Sequence, residues 1–222
     1  MTRAAELGYS ALTITDENTL AGVVRAYTAI RDHYRSATDD VPRLKLVIGA
    51  EIIPCDAPPV VLWVTDRQSY ARLSRLITVG RRRAPKGECW IRFDDIAEHH
   101  QGLIAGVVPQ LAGDAAKMDH LQPGDKSFAW FADVTNERHV NEYREIFGDR
   151  ANLIASLSRG VDDAWRAAQL QRMSQQTRMP LVAGGDVLYH RPARLPLHDV
   201  LTAIRHRTTV PEAGSLLVPN AD

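Results

Sequence analysis

Short apolar, β-branched runs alternate along this sequence with longer segments whose apolar residues recur every three or four positions. No other feature constrains the fold as strongly. The runs at Ala11–Thr15, Leu44–Ala50, Val60–Thr65, Leu103–Val108, Phe128–Phe131, Leu153–Leu157 and Leu181–Ala183 read as strands. Leu20–Ser36, Ser69–Arg82, His139–Phe147, Asp163–Thr177 and Pro196–His206 read as amphipathic helices, with Leu197, Leu201 and Ile204 forming the buried stripe of the last. This βαβα order predicts an α/β chain with a parallel sheet or barrel. No internal repeat or low-complexity linker interrupts it, so a single domain is expected.

Composition removes several function classes. Of 222 residues 45% are hydrophobic and 24% charged, which permits a substantial core, and Lys+Arg balance Asp+Glu at 27 each. A nucleic-acid partner would therefore have to be read from local clusters rather than from net charge. Cys55 and Cys89 stand alone, outside any zinc or redox spacing, and point to a reducing, cytoplasmic setting. No apolar run approaches the roughly 20 residues that span a bilayer, so no membrane function is expected.

The two ends read as truncated. A helix-like "TRAAELG" opens the chain where a strand is expected, and the apolar Leu216, Leu217 and Val218 have nothing after them to pack against.

In parallel α/β folds, ligands bind at the carboxyl ends of the strands. Here those ends are acidic: Asp16 and Glu17 follow "TIT", Glu51 follows "VIGA", Asp66 follows "WVT" and Asp186 follows "VAGG". Carboxylates that converge without a cation raise one another's pKa, so convergence implies a metal, a held proton or a basic neighbour. A plainer role stands beside each. Asp16 and Asp66 suit helix N-caps, and Glu51 suits a solvated loop. Asp186 follows two glycines that allow close backbone approach, which favours a functional role.

The blocks "RAAELGYSALTITDENTLAGVVRAY", "LKLVIGAEI", "VTDRQSYARLSRLITVGRRRAPKGE", "MPLVAGGDV" and "LHDVLTAIRHRTTVPEAG" occur here in that order. Together they resemble the polymerase-and-histidinol-phosphatase (PHP) domain of bacterial C-family DNA polymerases, the error-prone type more than the main polymerase III alpha subunit. The resemblance runs from Ala4 to the end. It implies a distorted (β/α)7 barrel without its first strand, with the PHP domain over residues 1–210 and the start of a linker toward the polymerase domains over 211–222. In active members, His, Asp and Glu at the strand ends hold divalent metals that hydrolyse phosphoesters.

Several of those ligands differ here. The opening His-x-His strand is absent, and the second motif's Asp-His reads Asp16-Glu17. The third motif's Glu is Glu51. Ser156 and Ser158 stand where Glu-x-His often occurs. The closing Asp-x-His reads Asp186-Val187-Leu188, with His190 displaced by two residues. Asp16, Glu17, Glu51, Asp186 and His190 are thus the vestigial metal candidates, an oxygen-rich set suited to weak magnesium or manganese binding more than to zinc. The implied function is a structural and interaction module of an error-prone polymerase. Its partners would be the remaining polymerase domains and, through the whole protein, DNA; nucleotidyl transfer would reside elsewhere in that polymerase. The alternative is a stand-alone metal-dependent PHP phosphoesterase with a reduced ligand set.

"GRRRAPKGE" places Arg81, Arg82, Arg83 and Lys86 at a helix C-terminus. There they complement the helix dipole or contact a phosphate backbone. His99 and His100 are expected in a solvated loop, and the four tryptophans as core or interface residues.

Overall fold

The computed structural model describes residues 1–35, 43–109, 111, 136–157, 162–185 and 187–217. Among them, six strands form one sheet in sequential order. The elements are α1 (Thr2–Glu6), β1 (Ala11–Ile14), α2 (Gly22–His33), β2 (Lys45–Ile52), β3 (Val60–Val64), α3 (Arg67–Arg83), α4 (Phe93–His99), β4 (Leu103–Val107), α5 (Asn136–Phe147), β5 (Ala151–Ser156), α6 (Asp163–Thr177), β6 (Leu181–Gly184) and α7 (Leu195–Arg205). This curled α/β sheet with its helices fits a PHP-type barrel lacking a strand. The expected strand at Phe128–Phe131 lies outside the described residues.

One strand departs from the all-parallel expectation. β1 and β2 are parallel, as are β4, β5 and β6, while β3 runs antiparallel to both β2 and β4. The connection from β2 to β3 covers only 53–59 and contains Pro54, Pro58 and Pro59. A parallel crossover needs a dozen or more residues, so a link this short forces reversal. Five strands therefore end on one rim and β3 on the other.

Strand alternation sorts the sheet into two faces. Ala50, Ile52, Val60, Leu62, Leu103, Ala105, Val107, Ala151 and Leu153 point under the helices and are fully buried with Leu73, Leu76, Ile96 and Tyr143. Each large side chain removed from water here contributes about 1.5–3 kcal/mol. The opposite face carries Thr13, Val47, Glu51, Trp63, Ile104 and Ile154, all half-buried. On that face Trp63 lies where side chains at Gly49 and Gly106 would be: a Cβ added at Gly106 would sit 2.6 Å from the indole and 2.8 Å from Ile154.

Helix starts follow local chemistry. Asp66 caps α3 through a reciprocal box, its carboxylate accepting the Ser69 N–H at 2.7 Å while the Ser69 hydroxyl accepts the Asp66 N–H at 2.9 Å. Those bonds hold the Asp66 carboxyl below the usual carboxylate range.

Two expectations are overturned. His99 is not in a solvated loop: α4 starts where Asp56 accepts the Phe93 N–H at 2.7 Å, and His99 falls one turn after Ile96 on the buried face. The stripe of α7 faces outward, with Leu197 48%, Leu201 57% and Ile204 66% exposed, while Ala203 is buried. The 3.6-residue period decides which side chains share a face of a helix, not which face meets protein. The less exposed side of α7 carries Leu195, His198, Asp199, Thr202 and Ala203, and the 3-10 turn Val210–Glu212 contacts the helix.

Candidate functional site

The β1–α2 corner is built from backbone pairing. Residue 17 continues the parallel ladder and bridges to residue 51, with Glu51 N–H donating to the Asp16 carbonyl at 3.3 Å and Asn18 N–H to the Glu51 carbonyl at 2.7 Å. Asn18 then turns the chain in a left-handed conformation (φ 51°) and its side-chain carbonyl accepts the Ile53 N–H at 3.1 Å. Glu17 and Glu51 are thereby brought side by side at the strand-end rim.

Asp16 is engaged with the helix. Its Oδ2 accepts the Gly22 N–H at 3.1 Å, so it satisfies the first turn of α2 from six residues away. A side chain at Gly22 would collide with that carboxylate, since an added Cβ would lie 2.5 Å from Oδ2. Glu51 departs from its loop reading: β2 extends to Ile52, and Glu51 is a half-buried strand residue opposite Val61. His190 is exposed beyond β6, and Ser156 pairs with Gly184 at the strand end. Asp186 and Ser158 lie outside the described residues. Asp66, by contrast, follows the reversed β3 and sits on the opposite rim.

Among the described residues, no three His, Cys, Asp or Glu side chains are grouped to hold a metal ion. Of the described candidates, Glu17 and Glu51 stand side by side and Asp16 accepts a helix N–H.

A cation does reach the corner. The Arg81 guanidinium donates to the Asn18 carbonyl at 3.2 Å, and also to the carbonyls of Gly87 and Glu88. Arg81 lies at a helix C-terminus as its sequence position predicts, but the long-range tie leaves no local signature, because Asn18 lies far away in the chain. Arg83 is likewise engaged internally, gripping Asp95 with two hydrogen bonds of 2.6 and 2.9 Å. Arg82 and Lys86 are exposed.

Burial pushes the Asp95 carboxyl up, but the Arg83 hydrogen bonds, the Arg92 N–H and the Arg83 charge outweigh it and hold the group below its ordinary value of 3.8. A carboxyl depressed by folding stabilises the fold above its unfolded pKa and loses that contribution as pH falls through the folded value. Arg83→Gln is therefore expected to lower Tm near neutral pH, and the gap from the unmodified chain should close as pH drops from about 5 to about 2. Thermal melts across that range check this. A constant gap would mean that the arginine acts through packing alone.

A curled α/β sheet with carboxylates at the ends of its parallel strands defines a barrel-type module with its candidate chemistry on one rim. The chain belongs to the PHP domain family, whose profile matches residues 1–164. It is 40% identical to the error-prone DNA polymerase of Rhodopirellula baltica over 213 residues, covering 96% of this chain and 17% of that protein. It is 42% identical to the error-prone DNA polymerase of Aromatoleum aromaticum over 220 residues, 99% of this chain and 18% of the relative. Against the error-prone DNA polymerase of Pseudomonas aeruginosa the identity is 39%, with 99% and 18% covered. The chain spans less than a fifth of the length of these relatives. No helix among the described residues is long and apolar enough to cross a membrane.

Proposed function

We propose that this chain is the PHP module of an error-prone, C-family DNA polymerase, serving DNA replication and repair synthesis as a structural and interaction domain with a vestigial metal site. Nucleotidyl transfer belongs, in this reading, to other polymerase domains, which are its partners along with the DNA they hold. The observation that carries it is the near-complete alignment of the chain with less than a fifth of each polymerase relative. The outward stripe on α7 supports it. Leu197, Val200, Leu201 and Ile204 recur at i, i+3, i+4 and i+7 on one exposed face, the pattern of a helix that docks on an apolar surface.

The test mixes the purified chain with the Pseudomonas aeruginosa error-prone polymerase lacking its matching segment. A stoichiometric complex on size exclusion, with recovery of primer extension, is expected. Separate elution with no recovery would overturn the reading. Glu17→Gln/Glu51→Gln, compared with the unmodified chain in the same mixture over a manganese series, reports whether these two carboxylates contribute any metal dependence.

A further inference from the structure

α3 carries six arginines and no acidic residue along "RQSYARLSRLITVGRRR". Three of the six have structural work. Arg72 donates to the Gln101 carbonyl at 3.1 Å, Arg81 ties the β1–α2 corner and Arg83 grips Asp95. Arg67, Arg75 and Arg82 are exposed and have no hydrogen-bond or ion-pair partner among the described residues. Ser69, Leu73, Leu76 and Gly80 form the buried face of the helix. At 100° per residue, Arg67, Arg75 and Arg82 all fall on the flank opposite it, across about 23 Å of helix rise.

A solvated surface helix ordinarily mixes both signs of charge. Two acids beside the helix are committed, Asp66 to the N-cap and Asp95 to Arg83. Arg67 at the first position of the helix also opposes the helix dipole, which favours anions there. The chain as a whole has zero formal charge, so this flank is a segregated patch rather than a consequence of composition. Lys86, exposed just past the helix, extends it.

We infer that the Arg67–Arg75–Arg82 flank of α3 is a binding site for the phosphodiester backbone of DNA. This rests on the proposed membership of a DNA polymerase, and it replaces Arg81 and Arg83 with Arg67 and Arg75 among the residues that meet phosphate. Guanidinium groups spaced along one flank of a helix suit a repeating anion, and their contribution is sequence-independent and salt-sensitive.

The test is fluorescence anisotropy of labelled single-stranded DNA, and of the matching duplex, with the 222-residue chain over a salt series. Arg67→Gln/Arg75→Gln/Arg82→Gln is expected to reduce the salt slope of log K by about 2 on single strands or about 3 on duplex. The strand form showing the full loss identifies the substrate. A control, Arg25→Gln/Arg172→Gln/Arg205→Gln, removes the same charge from exposed positions elsewhere and is expected to keep the slope. Circular dichroism melts confirm that both variants fold. Equal weakening by the two triples, no DNA binding at low salt, or preferential binding of a polyglutamate peptide would overturn the inference, the last in favour of an acidic protein partner. Association with the polymerase remainder is measured separately, so either idea can fail alone.

Discussion

Replacing Tyr143 with alanine is expected to destabilise the domain by about 3–5 kcal/mol and to lower its Tm by about 6–20 °C. Tyr143 is fully buried, packs edge-on against Phe93 at 5.1 Å and lies 6.3 Å from Phe147. Its hydroxyl donates to the Pro58 carbonyl at 2.8 Å. The residue therefore joins α5 to the proline-rich link that reverses β3, and its loss opens a cavity where helix, link and sheet meet. Tyr143→Phe separates the two contributions. It keeps the ring and leaves the buried Pro58 carbonyl without its donor, at a cost of about 1–3 kcal/mol. Urea melts of the three proteins check the order. A Phe variant as unstable as the Ala variant would place the whole effect in the hydrogen bond.

The second large effect concerns association. Leu201→Asp/Ile204→Asp changes two side chains that are 57% and 66% exposed, so the isolated chain should melt within about 0.5 kcal/mol of the unmodified one. If α7 docks on the rest of a polymerase, the same variant puts two carboxylates into an apolar seam. Anchor residues at interface centres each contribute about 2 kcal/mol or more, so affinity for the polymerase remainder should fall at least about 30-fold for each such position. Calorimetric titration against that remainder measures it. Unchanged affinity together with an unchanged melt would mean that the stripe is not the seat of docking. The triple arginine-to-glutamine variant on α3 serves as an internal comparison, since it should leave this affinity intact.

Much of the strand layout was legible because alternating β-branched residues have few other options. The runs ending at Ile14, Val64 and Val107 needed adjustment by only a residue at their boundaries. The reversal of β3 was present in the short, proline-bearing link, although periodicity alone cannot reveal strand direction. The capping role of Asp66 was equally local, since Ser69 lies three residues away. That of Asp16 was only partly legible: the carboxylate reaches an N–H six residues on, and its neighbours Glu17 and Asn18 are fixed by residues 51 and 53 of another strand.

The alternating α/β architecture, the acidic strand ends and the amphipathic faces follow from local pattern, because each depends on residues a few positions apart. Tertiary structure alone decided which way α7 turns its apolar stripe, which arginines of α3 are tied down, and that Glu17 meets Glu51. Each of those depends on contacts between distant segments, where packing space and hydrogen-bond partners, not local period, select among equivalent faces.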